Sequence, residues 1–237
     1  MELTVNDIVK IFAVSEETVN HWIDKKGMPC IKANDQYRFN YIELLDWALH
    51  KRIQLTPEVL NFADREHHKT NILYQAIKKG RIYYDLPGDN REEVLKSVVD
   101  VLPLPAKTNK KSLWQMLIAR EKLVSTSMGN GIAIPHVRNP VVLNIDQPSV
   151  TLCFLKNPID FKAPDGKPVY ILFVLLSTSV KEHLTFLSRI AYSLQSSKLQ
   201  EYLQSKATPE EILAEIMVLE SKFSFLSSEI KRGARKI

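Results

Sequence analysis

The chain has 237 residues, 45% of them hydrophobic and 25% charged, with a formal net charge of +5. That balance fits a globular protein of one large domain or two modest ones, and no internal repeat or low-complexity segment interrupts it. No apolar run approaches the roughly 18 to 20 residues that span a bilayer, and the two cysteines, Cys30 and Cys153, are too far apart to suggest a disulfide framework or a CxxC zinc site.

Met1-Glu2-Leu3-Thr4 begins like neither a signal nor a transit peptide, so a cytoplasmic protein is expected. Ile8, Val9, Ile11 and Phe12 recur at helical spacing, with Asn6 placed to cap the start. After the Ala13-Val14-Ser15 turn, Ser15 can cap a second helix from Glu16 to Lys26. This helix puts Val19, Trp22 and Ile23 on one face, while Thr18, Asn20 and His21 lie toward another. Gly27-Met28-Pro29 stops it, and Ile31 to Phe39 reads as a hairpin turning at Asn34-Asp35. Asn40 then caps a third helix through Leu49. Two short helices joined by a short turn make a helix-turn-helix unit.

Thr18-Val19-Asn20-His21-Trp22, followed by Pro29 and then Arg38-Phe39, resembles the winged-helix pattern of the excisionase/MerR type over residues 1–53. The resemblance implies a DNA-binding domain whose second helix enters a major groove, with Thr18, Asn20 and His21 as contacts and Arg38 touching backbone or minor groove. Asn20 and His21 carry donors and acceptors suited to base edges. Charge gives no support, because residues 1–52 hold 7 Lys/Arg against 8 Asp/Glu, and Glu16 and Glu17 would cost affinity near phosphates. A protein-binding or vestigial winged helix is the alternative.

Residues 54–71 read as a helical connector that starts at Thr56-Pro57-Glu58, and an amphipathic pattern continues through Leu73, Ala76 and Ile77 to Gly80. His67 and His68 are adjacent and so point to different sides of a helix, as surface residues and not as a metal pair. The connector also offers a homodimer contact, which a winged helix uses to reach two half-sites. Ile82-Tyr83-Tyr84 reads as a strand and Leu86 to Asn90 as a turn. Arg91 to Leu102 and Lys111 to Leu123 follow as amphipathic helices, with Leu113, Trp114, Leu117 and Ile118 toward a core. Val150 to Leu155 and Val169 to Leu176 are apolar runs of buried-strand type, the second expected at the centre of a sheet. Helices from His183 to Ser196, Leu199 to Gln204 and Pro209 to Leu219 lead to a tail, residues 223–237, where Lys231, Arg232, Arg235 and Lys236 face only Glu229. Strands interleaved with helices over residues 72–222 indicate a layered α/β domain. No Walker-type glycine loop or nucleotide fingerprint occurs, and no cofactor or metal is expected.

The chemistry concentrates in Gly129-Asn130-Gly131-Ile132-Ala133-Ile134-Pro135-His136. Two glycines permit a tight turn, Ile132-Ala133-Ile134 is a short strand, and Pro135 ends it. His136 is thus expected at a strand end with its ring facing outward, where a neutral imidazole titrating near pH ~6.5 is a competent nucleophile. Arg120 can supply a planar, charged fork suited to phosphate oxygens. Thr178-Ser179-Val180-Lys181-Glu182-His183 looks like a helix start, which favours anions. Two histidines, an arginine and a helix start can together hold a phosphoryl group while a nitrogen accepts it.

The run Arg120-Glu121-Lys122-Leu123-Val124-Ser125-Thr126, with the glycine-rich stretch and Val169 to Leu176 followed by Glu182-His183-Leu184, resembles enzyme IIA domains of the fructose/mannitol/nitrogen class of the phosphoenolpyruvate-dependent phosphotransferase system. The resemblance implies an α/β fold with a mixed sheet flanked by helices, and a phosphohistidine carrier in place of a free-standing enzyme. His136 would be the phosphoryl acceptor, supported by His183 and Arg120, and a histidine-containing phosphocarrier would be the donor. After the histidine the family usually has Gly, Ala or Pro, whereas Val137 stands here, a bulkier residue that could alter partner docking. Coupled to the winged helix, such a domain would serve a transcriptional regulator. The rival is a transport component handing phosphate to an enzyme IIB without binding DNA. A third reading keeps the fold as an unphosphorylated protein-binding module.

Overall fold

The structure is a computed structural model that describes residues 2–51, 53–63, 71–137 and 145–234. His67 and His68, and the end of the basic tail with Arg235 and Lys236, lie outside the described residues. Strand β1 (Glu2–Thr4) leads into α1 (Val5–Phe12) and α2 (Glu16–Lys26), then the hairpin β2 (Ile31–Ala33) and β3 (Gln36–Asn40), then α3 (Tyr41–His50). The three strands pair antiparallel in the order β1-β3-β2.

Thr4, and not Asn6, caps α1: its Oγ1 accepts from the Asp7 N–H while Asp7 accepts from the Thr4 N–H. A hydroxyl one residue before the first helical turn satisfies a donor that Asn6, already inside the helix, cannot reach. Ser15 caps α2 as its sequence predicts, and Asn34 and Asp35 both take positive φ at the hairpin turn. The unit's core is aromatic. Phe12, Trp22 and Trp47 pack with ring centroids 5.5–6.4 Å apart, and the Trp47 indole N–H finds Lys26 O at 3.0 Å.

Helices α4 (Glu58–Ala63) and α5 (Ile72–Gly80) connect to a second layer system. Its strands are β4 (Ile82–Leu86), β5 (Ser127–Gly129), β6 (Ile132–Ala133), β7 (Ser149–Ile159) and β8 (Val169–Leu176), ordered β4-β7-β8-β6-β5. The sheet is mixed: β4 with β7 and β6 with β8 run parallel, the other pairs antiparallel. Strand β8 is central, and its side chains alternate between two cores. Ile171, Phe173 and Leu175 face one and Leu172, Val174 and Leu176 the other. Each such fully buried aliphatic or aromatic side chain contributes about 1.5–3 kcal/mol.

Helices α6 (Arg91–Val101) and α7 (Lys110–Leu123) supply Val94, Leu95, Leu113 and Leu117 to the second core. On the opposite face, α8 (Val180–Ser193), α9 (Ser197–Gln204) and α10 (Pro209–Ala234) pack with α5. Helix α10 runs on past Leu219, the expected end, to Ala234. Glu220 of α10, 1% exposed, accepts from the N–H groups of Leu73 and Tyr74 and pairs with Arg189 of α8 at 2.6 Å. One carboxylate thereby caps α5, where Asn71 offers no side-chain cap, and ties three helices together.

The N-terminal unit packs on this same face. Its Leu3, Ile8, Phe39 and Leu44 belong to one continuous core with Ile134, Phe173 and Leu187. Tyr41 at the start of α3 reaches Val59 O at 2.6 Å and Ser188 Oγ of α8 at 2.8 Å, and the Leu55 N–H donates to Gln195 Oε1 at 3.2 Å. No helix among the described residues is long and apolar enough to cross a membrane.

Candidate functional site

The glycine-rich stretch folds as a tight β5–β6 turn in which Gly129, Asn130 and Gly131 all take positive φ. Gly131 is doubly constrained: its φ is +76°, and a Cβ there would lie 1.9 Å from the Tyr170 ring. The Asn130 N–H is held by Asp165 at 3.0 Å. Strand β6 is brief because Pro135 cannot donate, yet the chain keeps alignment with β8: Leu175 N–H donates to Pro135 O at 3.0 Å and His136 bridges Leu175 in parallel. Ile132 and Ile134 enter one core and Ala133 and Val137 the other. His136 therefore lies on the face shared with α8. Val137, 2% exposed, packs inward with Ala133 and Cys153 and presents nothing to a docking partner.

The ring of His136 does not face outward: it is 3% exposed. The outward expectation assumes that a strand end is a surface, but Arg120 of α7 and His183 of α8 lie against the ring. Its Nδ1–H donates to Ile134 O at 2.8 Å, and because a carbonyl can only accept, the proton must sit on Nδ1. Nε2 consequently carries the lone pair, which accepts from Arg120 Nε–H at 3.3 Å. The His183 ring centroid lies 4.9 Å away, tilted by 57°.

Arg120 sits in the last turn of α7, where Nη1–H also donates to Val124 O at 2.7 Å. Glu121, its neighbour, fastens the helix end to the following segment by accepting from the Thr126 N–H at 3.1 Å and the Thr126 hydroxyl at 2.6 Å. Burial raises the Glu121 pKa, and those hydrogen bonds oppose the rise. His183 is placed by the first turn of α8, capped by Ser179 through the Glu182 N–H, while Glu182 accepts from Thr178 N–H and hydroxyl. Its Nδ1 lies 3.2 Å from Ser177 Oγ.

Burial dominates the electrostatics. It holds the His136 pKa well below 6.5, with the His183 and Arg120 charges acting in the same direction. It also brings His183 down to about 4, again with help from Arg120. Both rings are neutral at pH 7, so the site combines one guanidinium, one nucleophilic nitrogen with its lone pair available, and a second imidazole. Such a set can bind a doubly charged oxyanion and bond to its central atom.

The sequence-based DNA contacts are arranged differently. Asn20 and His21 stand exposed on α2. Thr18 is half-buried, its hydroxyl 3.0 Å from Ser15 Oγ, and so belongs to the helix cap. Arg38, on the middle strand β3, donates to Gln36 Oε1 at 2.7 Å. Glu121 and Ser177 are absent from the sequence-based site; neither periodicity nor spacing distinguishes a buried anchoring carboxylate or hydroxyl from an ordinary surface one.

Comparison with known proteins places these features in a family. The profile described as phosphoenolpyruvate-dependent sugar phosphotransferase system, EIIA 2, matches residues 75–218, and a helix-turn-helix domain profile matches residues 2–52. The nitrogen regulatory protein of Pseudomonas aeruginosa is 37% identical over 142 residues, covering 58% of this chain and 90% of that protein. The fructose-specific EIIABC component of Bacillus subtilis is 27% identical over 142 residues, covering 59% of this chain and 22% of that protein. Among solved structures, the nitrogen regulatory protein IIA-Ntr of Neisseria meningitidis aligns with a TM-score of 0.54 at 28% identity, covering 61% of this chain and 99% of that one.

Proposed function

Because the chain belongs to the EIIA type 2 family of the phosphoenolpyruvate-dependent sugar phosphotransferase system and carries a helix-turn-helix domain, we propose that it is a regulatory phosphoryl carrier: His136 accepts a phosphoryl group from a histidine-containing phosphocarrier and thereby biases DNA binding by residues 1–53. One observation carries this reading: Nε2 of His136 holds a lone pair directly opposite Arg120, with a second imidazole beside it.

The Nε2–P bond forms as the donor's N–P bond breaks, and no proton need leave His136, because its only ring proton stays on Nδ1 against Ile134 O. Arg120 gives up its bond to Nε2 and turns its N–H groups to the phosphoryl oxygens, while His183 hydrogen-bonds another oxygen. Since the ring is 3% exposed, the approach of a donor requires that Arg120 movement. The product adds about −1.5 to −2 charges to a buried pocket on the face where the N-terminal unit packs, which is a direct route to altered domain docking.

The experiment is incubation with phosphoenolpyruvate, enzyme I and the phosphocarrier. Acid-labile label is expected on the wild type and absent from His136→Ala; label retained by that variant would reject the assignment. The likeness to the fructose-specific component favours one rival, transfer onward to an enzyme IIB without DNA binding. A gel shift at low salt that shows no DNA complex, with or without phosphorylation, would select that rival.

A further inference from the structure

Ser177 follows the last residue of β8 and precedes the cap of α8, and it is 1% exposed. Its Oγ contacts His183 Nδ1 at 3.2 Å. A neutral imidazole has a single N–H, and the partner of one nitrogen decides whether the other is a donor or an acceptor. If Nδ1–H donated to Ser177, Nε2 of His183 would carry a lone pair, which would repel phosphoryl oxygens. With the serine hydroxyl donating to Nδ1, the ring proton is on Nε2 instead. His136 shows the opposite arrangement, its Nδ1 being locked as donor by a carbonyl. The two rings would then be complementary tautomers, one offering a lone pair to phosphorus and the other a proton to an oxygen.

We propose that Ser177 is a positioning residue that fixes His183 as the Nε2–H tautomer, so that a neutral imidazole donates to a phosphoryl group on His136. A backbone carbonyl could not serve here, since it would enforce the other tautomer; a hydroxyl, which both donates and accepts, can. Ser177 touches neither phosphorus nor its oxygens, and the inference rests on the proposed phosphoryl acceptance at His136.

The test uses the full chain labelled with ¹⁵N-histidine. Long-range ¹H–¹⁵N spectra of the unphosphorylated wild type should show Nε2 of His183 protonated and Nδ1 bare. Ser177→Ala should shift both nitrogens toward a tautomer mixture and slow phosphoryl uptake about tenfold, with His136 keeping its Nδ1–H signature. Ser177→Thr should restore both readouts. Finding Nδ1–H on His183 in the wild type overturns the proposal, as does wild-type uptake together with wild-type nitrogen shifts in Ser177→Ala. Should His136 never take label, the phosphoryl-acceptor reading fails by itself, and the wild-type spectrum still decides the tautomer.

Discussion

Histidines occupy opposite settings in the two candidate functional regions. His136 and His183 are each 3% exposed, met at Nδ1 by Ile134 O and Ser177 Oγ respectively, and kept neutral by burial. His21 stands exposed on α2 beside Asn20. A buried polar ring must find partners or lose about 1–3 kcal/mol per unsatisfied group, so its chemistry is written into the geometry around it. An exposed ring is satisfied by water, and its function depends on what arrives. The first region can therefore be analysed from its interior, whereas the second is defined only by its partner.

The largest expected effect tests the buried region. Arg120→Ala removes the only permanent charge among the three site side chains, and phosphoryl uptake should fall about 10²- to 10³-fold in a single-turnover labelling assay. Arg120→Lys should recover only part of it, because an ammonium cannot fork between two oxygens. Uptake within threefold of wild type in Arg120→Ala would remove Arg120 from the site.

That trio illustrates what was legible in the sequence. The resemblance to enzyme IIA domains names Arg120, His136 and His183, and the fold brings these three side chains together. The α/β layering follows from the interleaving of strands with helices, and the central place of β8 from its uninterrupted apolar run. The burial of His136 does not follow, since the side chains against its ring, Arg120 and His183, come from helices distant in sequence. The Thr4 cap was missed because Asn6 is an equally good cap on composition, and only the helix start decides between them. The full length of α10 is in fact legible, because Phe223, Leu226 and Ile230 continue the stripe of Ile212, Ile216 and Leu219 at helical spacing; the basic residues that follow draw attention to charge instead.

Next in size is a pH effect. Both site histidines are neutral in the folded chain, whereas an unfolded histidine protonates near 6.5. Below that value the unfolded state binds more protons, so stability present above pH 6.5 is lost as pH falls toward the folded value of about 4 for His183. The loss from His183 should reach about 3 kcal/mol. Urea midpoints at pH 7.5 and 4.5 measure it: wild type should lose more stability over this interval than His183→Gln. Equal losses would mean that the imidazole is not held neutral.

A smaller effect tests how far the two regions are joined. Two hydroxyl protons, on Tyr41 and Ser188, serve three contacts: Tyr41 to Val59 O, Ser188 to Leu184 O, and the 2.8 Å approach between the hydroxyls. Tyr41→Phe keeps the ring in the core and removes this junction, at a cost of about 1–2 kcal/mol. Amide exchange should then accelerate along α3 and α8 together. Acceleration confined to α3 would mean that the N-terminal unit and the sheet domain open independently.

The smallest expected change in stability is at the exposed region. Asn20→Ala and His21→Ala alter surface positions and should shift the unfolding midpoint by no more than about 0.5 kcal/mol, leaving phosphoryl uptake untouched. Their entire effect should appear in DNA binding, as a loss of about 1–3 kcal/mol per base contact that depends on sequence. Arg38→Ala should instead weaken binding to every sequence alike and flatten its dependence on salt, as removal of a backbone cation does. Fluorescence anisotropy across a salt series separates the two patterns. If the α2 variants bind every duplex as wild type does, α2 reads no bases, and the contrast between a geometry-defined site and a partner-defined one reduces to a single functional site in the sheet domain.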